Sequence, residues 1–194
     1  MRKIGIVTIH KINNYGALLQ AYALNRYLRN CGHQVQTIDY RTYRVKESYQ
    51  IFRPMKSVMD LPRNAQALLY AARLRRRKHR FDAFLRDYVP MTTGVYEDNG
   101  QIRDAKLDFD TYICGSDQIW NTYCQNYDNT FLLDFADESA RRIDYAASLG
   151  ATGIHENHQE SFSRELKKFH ALSVRENDAV EIIRSYADKA VTHV

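Results

Sequence analysis

No apolar run in these 194 residues approaches the roughly 20 needed to cross a bilayer as a helix, which excludes a helical membrane span. The opening MRKIGIVTIHK has too short an apolar stretch, and no small-residue cleavage site, to be a signal peptide. Cysteines are few: Cys31, Cys114 and Cys124 form no CxxC pair and leave an odd number, so a disulfide framework is excluded and reduced thiols in the cytoplasm are expected. Cys31 at a helix end and Cys114 inside an apolar strand read as small core residues. No histidine spacing suits a metal either. His155 and His158 stand in HENH, which is not HExxH, and read as surface residues at a helix start; no metal is expected. A dinucleotide fingerprint is also missing, because the loop placed for it holds one glycine where GxGxxG needs three. No cofactor is expected, and Asp39, placed like a ribose-binding acid, reads instead as a strand-end cap.

What is present is the composition of a globular domain, 44% hydrophobic and 26% charged, in a chain long enough for one well-cored unit and short for two. The formal charge of +5 favours anionic partners, yet the excess sits mostly in RLRRRKHR, residues 73 to 80. Such a run can meet RNA or acidic lipid. It is also what a solvated helix face looks like, and no stacking aromatics interleave with its arginines, so no nucleic acid is expected.

Two periodicities alternate along the chain. KIGIVTI (3–9) is short, β-branched and continuous, as a strand buried on both faces should be. Ala17, Ala21, Leu24, Leu28 and Cys31 then recur at helical spacing, with Gly32 placed to end that helix. HQVQTIDY (33–40) is the next strand, and the crossover makes the pair parallel. From about 41 to 108 the rhythm breaks. Leu61, Ala65, Leu68, Leu69 and Ala72 form one helical stripe and Phe81, Phe84, Leu85 and Tyr88 another. The stretch that follows, YVPMTTGVYEDNGQIRDAK, reads as a loop with a short hairpin at Asn99-Gly100. This region is expected to be an insertion between strands. Strands resume at DTYICGSD, RRIDYAASLG, HALSVRE and KAVTHV, with helices over HENHQESFSRELKKF and NDAVEIIRSYA. The fold class is α/β, a parallel sheet flanked by helices. Ending on AVTHV leaves a strand uncovered, which suggests a truncated chain or the first half of a longer protein.

In open parallel α/β sheets ligands bind beyond the carboxyl ends of the strands, and polar residues gather there in this sequence. Asn13, Asn14, Tyr15 and Gly16 lead into the first helix, where Asn can cap and Gly allows close backbone approach. An anion at that helix start and an ordinary cap turn are both open. Gly115, Ser116, Asp117 and Gln118 end the central strand, with the sole tryptophan, Trp120, behind them. They can orient sugar hydroxyls or supply an acid or base; the alternative is an Asx-type turn with Trp120 plugging the core. Ser148 and Gly150 end another strand. Arg175 can grip phosphate or carboxylate with two donors, or pair with a surface acid.

KIGIVTIHKINNYGALLQAYAL, YICGSDQIWN, RIDYAASLG and LSVRE, in that order, resemble the polysaccharide pyruvyl transferase family over residues 3 to 194. The resemblance implies a GT-B-like architecture of two Rossmann-like halves, of which 1–194 is the N-terminal one and the second is absent from this chain. It implies transfer of the carbon skeleton of phosphoenolpyruvate to sugar hydroxyls, giving a pyruvate ketal on a cell-surface glycan or its precursor in exopolysaccharide biosynthesis. Arg175 matches the family's SxRE/D motif and is expected at the donor's anionic groups. Asn14, Gly16, Gly115, Ser116, Gln118, Ser148 and Gly150 are expected to bind substrate, and Asp117 to be the general base. The expected partners are phosphoenolpyruvate, a glycan acceptor and, through Arg73 to Arg80, an anionic membrane surface. Without a second domain the chain alone is expected to be inactive. A GT-B glycosyltransferase half and a non-catalytic anion-binding module remain the alternatives.

Overall fold

The computed structural model describes residues 1–41, 60–124, 127 and 129–194, with side chains described outside 60–69. Five strands form one parallel sheet: β1 (Lys3–Val7), β2 (Gln34–Tyr40), β3 (Met91–Tyr96), β4 (Thr111–Gly115) and β5 (Arg141–Tyr145), in the spatial order β3-β2-β1-β4-β5. A short parallel pair, β6 (Ser173–Val174) with β7 (Thr192–His193), continues past β5 through bridges at Ile143–Ala171 and Ala147–Val174. The helices are α1 (Tyr15–Asn30), α2 (Asp60–Tyr88), α3 (Asn99–Asp104), α4 (Gln159–Leu166) and α5 (Ala179–Ala187). This is the expected α/β architecture, and its strand order is that of a Rossmann-like sheet.

The core follows the pleat. Ile4 and Ile6 of β1 and Ile113 of β4 face one side with Val35 and meet Leu24 of α1. Val7, Tyr112 and Cys114 point the other way, into a larger cluster with Trp120, Phe162, Phe169 and Ile183. Side chains alternate across a strand, so a strand apolar at every position must be covered on both faces. Trp120 is fully buried; its Nε1–H donates to the Phe131 carbonyl (3.2 Å) and its ring meets Phe162 and Phe169 edge-on. Core plug is therefore the right reading of Trp120 itself. On the same side, Arg142 of β5 is buried against Glu165 of α4 (3.3 Å) and donates to the Ala136 carbonyl (2.6 Å). The buried arginine thus keeps partners on both sides.

Four expectations change. The stretch after α2 is not a loop: Met91–Tyr96 is the edge strand β3, paired with β2, so part of the region read as an insertion belongs to the sheet. Asn99-Gly100 starts α3 rather than turning a hairpin, because Asp98 Oδ1 accepts from the Gln101 amide (2.9 Å) and caps the helix. Cys31 is exposed, since α1 ends at Asn30 and the chain turns away from the core there. Asp39 is no cap; it is a buried ion-pair partner, described below. Cys114 is a core residue as expected. The stripe Leu61, Ala65, Leu68, Leu69 and Ala72 falls on α2, where Ala72 is exposed and the side chains of the other four lie outside what is described, as do residues 42 to 59.

Candidate functional site

The connections of the sheet reverse between β1 and β4. β1 leads through α1 to β2 on one side, and β4 lies on the other, so a crevice opens at the carboxyl ends of these two strands. A residue on α1 ties its walls together. Gln20 Nε2 donates to Thr8 Oγ1 (2.8 Å) and to the Ile9 carbonyl (3.3 Å), while its Oε1 accepts from the Ser116 amide (3.2 Å). One amide side chain thus fixes the spacing between the end of β1 and the turn after β4.

That turn depends on Gly115. Its φ is +111°, and a Cβ there would stand 2.0 Å from the Tyr145 carbonyl oxygen, so only glycine fits. The Gly115–Ser116 peptide is cis. Asp117 Oδ1 accepts from the Gln118 amide (2.7 Å), an Asx-type turn, and the Asp117 carbonyl accepts from the amides of Ile119 (2.7 Å) and Ser148 (3.0 Å). The Trp120 amide returns to the Ser148 carbonyl (3.2 Å). The turns after β4 and β5 are therefore one docked unit. Gly150 (φ +57°) completes it, because a Cβ there would meet Gln118 at 2.8 Å. Among the described residues, Ser116 Oγ and Asp117 Oδ2 have no protein partner and remain available to a ligand.

A charged cluster lies beside the crevice at the ends of β1 and β2. His10 is fully buried, with Nδ1 2.9 Å from the Thr8 carbonyl oxygen and Nε2 3.3 Å from Asp39 Oδ1. Both neighbours offer oxygen acceptors, so the ring N–H has a partner in either tautomer. Arg41 forks onto the same carboxylate, Nε to Oδ1 at 2.9 Å and Nη2 to Oδ2 at 2.8 Å, and Lys11 Nζ stands 4.0 Å away. Burial opposes ionisation of Asp39, but the hydrogen bonds from His10 and Arg41 outweigh it and hold the carboxyl below its usual range. Arg41 and Lys11 together bring two cationic side chains to this one carboxylate.

At β5 the balance is opposite. Burial pushes the Asp144 carboxyl well up, and the bond from the Ser173 amide (3.1 Å) does not offset it. The neighbouring Cys114 thiol, 3.7 Å away, is pushed up by the same burial and by Asp144. Neither group reaches solvent.

The other expected site residues fall as follows. Asn14 Oδ1 accepts from the Ala17 amide (3.2 Å), so its side chain serves as an N-cap, and Gly16 packs against it. Ser148 Oγ donates to Glu176 Oε1 (2.5 Å), joining the turns after β5 and β6; Glu176 Oε2 is buried without a partner. Arg175 is exposed and donates to Glu176 through Nε (3.3 Å); among the described residues its terminal nitrogens have no partner. Arg77 of α2 donates to the Asn13 carbonyl, bringing the basic run to the β1–α1 loop. Arg73, Arg76, Arg77 and Arg80 rim a groove of about 790 Å³ floored by Leu18, Leu19 and Phe81. A second hollow, about 630 Å³ and lined by Lys3, Gln34 and Phe109, lies at the opposite edge, where the strands begin. No His, Cys, Asp and Glu group among the described residues could hold a metal ion, and no described helix is long and apolar enough to cross a membrane.

The model of the family described as polysaccharide pyruvyl transferase matches residues 14–192, nearly the whole chain. The chain belongs to the polysaccharide pyruvyl transferase family. No curated protein and no solved structure matches it. As a polysaccharide pyruvyl transferase family member it is a transferase whose acceptor is a polysaccharide. The matched span holds α1, both docked turns and Arg175, and leaves out β1 and His10. Gln20, Arg41 and Asp144 are the members of this edge that the motifs did not single out. Arg41 had a signal, since it follows β2 directly and stands two residues from Asp39, the spacing that keeps extended side chains on one face.

Proposed function

We propose that this chain takes part in transferring the pyruvyl skeleton of phosphoenolpyruvate to two hydroxyls of one sugar, forming a pyruvate ketal, at the β1–β4 crevice. The observation that carries this reading is the clamped turn at Gly115–Gln118. It presents Ser116 Oγ and Asp117 Oδ2 unpartnered at the switch point, in a member of this family.

The chemistry asks for three things. The enol methylene gains a proton, which leaves cationic character on the carbon bearing phosphate. One sugar hydroxyl attacks that carbon, the carbon–oxygen bond to phosphate breaks, and the second hydroxyl closes the ring. The two hydroxyls lose two protons in all; one balances the methyl carbon and the other leaves with phosphate. A carboxylate beside the hydroxyls serves as base, and fixed cations hold the donor's phosphate and carboxylate. In this reading Asp117 takes the hydroxyl proton and Ser116 and Gln118 orient the sugar. Arg175, whose terminal nitrogens are uncommitted, binds the donor's anionic groups. The arginine-rimmed groove on α2 faces an anionic surface, such as a membrane that carries the acceptor.

Calorimetric titration with phosphoenolpyruvate, on the chain and on Arg175→Ala, tests the donor assignment. The expected result is binding weakened about tenfold or more by the substitution, the scale of a lost charge-assisted pair. Equal binding by both proteins, or none by either, would remove Arg175 from the donor site.

A further inference from the structure

Beyond the docked turns, four rings meet at the surface. Tyr123 stands edge-on to His155 with centroids 5.2 Å apart, His155 is 6.0 Å from His158, and His158 is 5.0 Å from Tyr127. The crevice fixes their position. Thr122 Oγ1 accepts from the His155 amide (2.8 Å), Asn121 Nδ2 reaches the Gly150 carbonyl (3.5 Å), and Asn121 Oδ1 accepts from the Tyr123 amide (3.2 Å). Thus the segment after Trp120 and the segment after Gly150 are pinned together, and the rings extend the wall formed by the two turns.

Tyr127 packs against the core, while Tyr123, His155 and His158 are not among its residues. Tyr123 is 59% exposed and both histidines are partly exposed. His155 Nδ1 accepts from the Asn157 amide (3.3 Å), so in the neutral ring the proton is on Nε2, which has no partner among the described residues. Among the described residues the ring nitrogens of His158 have none either.

The charge of the two segments narrows the ligand. Residues 116–140 and 143–163 contain no lysine and no arginine, while Gln118, Asn121, Glu156, Asn157 and Gln159 supply amides and acids. Segments without lysine or arginine bring no fixed positive charge of their own to phosphate or a nucleic acid. Aromatic faces that take up C–H groups, next to imidazole and amide hydrogen-bonding groups, suit an uncharged ring bearing many hydroxyls.

We infer that Tyr123, His155 and His158 form a platform for an uncharged sugar residue of the acceptor glycan. Tyr123 stacks on the sugar's C–H face, and His155 Nε2–H and the His158 ring bind its hydroxyls. This rests on the proposed function for the identity of the glycan as acceptor, but the platform itself needs no donor.

The test is saturation-transfer NMR with no phosphoenolpyruvate present. The probes are the methyl glycosides of glucose, galactose, mannose and their N-acetylated forms, with saturation on the protein's aromatic resonances. At least one glycoside should receive saturation from the unaltered chain. Tyr123→Ala should weaken its binding about fivefold, the scale of one lost ring contact, with Tyr123→Phe close to the parent. His155→Gln should weaken binding while leaving the near-ultraviolet circular dichroism unchanged. No saturation of any glycoside, or binding indifferent to all three substitutions, would overturn the platform. Saturation of a cationic peptide probe but of no glycoside would overturn it in favour of a protein partner. Ring-dependent glycoside binding in a chain that does not bind phosphoenolpyruvate would uphold the platform and count against the donor reading alone.

Discussion

Replacing Asp39 by Asn should cost this protein about 3 kcal/mol of stability. The side chain of Asp39 is 6% exposed, that of His10 is fully buried, and that of Arg41 is 32% exposed. Removing one partner of a buried ion pair leaves the other charge uncompensated, which costs about 3–5 kcal/mol. Arg41 lowers that figure, because a side chain exposed to this degree can swing toward water and recover hydration. His10 cannot, so the N–H that faced Asp39 loses a charged acceptor, on a scale of about 1–3 kcal/mol. Urea denaturation at neutral pH reads the difference directly. The pH dependence checks the cause. A carboxyl held low in the folded state stabilises above its unfolded value of about 4, and that contribution is lost as pH falls through the folded value. The parent should therefore lose stability in acid more steeply than Asp39→Asn. A loss below about 1 kcal/mol with an unchanged acid limb would refute the view that His10, Asp39 and Arg41 act as one buried unit.

Other consequences are simpler to read. Gly115→Ala should cost about 3 kcal/mol or more, or prevent soluble expression, because the new methyl group lands on the Tyr145 carbonyl; near-parental thermal unfolding would show that the turn can relax. Asp144→Asn should act with the opposite pH sign to Asp39→Asn. A carboxyl raised by burial stabilises fully below its unfolded value of about 4 and loses that contribution as pH rises toward the folded value. The Asn variant should thus gain relative to the parent as pH rises above about 4, as measured by urea midpoints.

The elements readable from the sequence were those whose burial is complete. KIGIV and TYICG are apolar or small at nearly every position because both faces of β1 and β4 are covered, and α1 repeats its apolar residues on one stripe. β3 was missed for the opposite reason. MTTGVY lies at the sheet edge with half-exposed positions and a glycine, so neither alternation nor a buried run marks it. Asp98 and Gln101 mark the start of α3, as an acid with an amide three residues on, but Asn99-Gly100 is also a hairpin signal and the two compete. At the candidate site the strand ends carried the legible residues: Gly115, Asp117 and Gly150 were visible as polar or small breaks after strands. The ties between them were not. Gln20 looks like any polar helix residue until the fold places Thr8 and Ser116 on either side of it, and His10 meets Asp39 across 29 positions of sequence.

The crevice between β1 and β4 is where this family member is proposed to meet its substrates. Amide chemical-shift mapping of the isotopically labelled chain, with phosphoenolpyruvate added, tests it most directly. Perturbations should concentrate at residues 8–14, 115–118, 148–150 and 175–176, the carboxyl edge of the sheet. Perturbations centred instead on Lys3, Gln34 and Phe109 at the opposite edge, or none at saturating ligand, would contradict it.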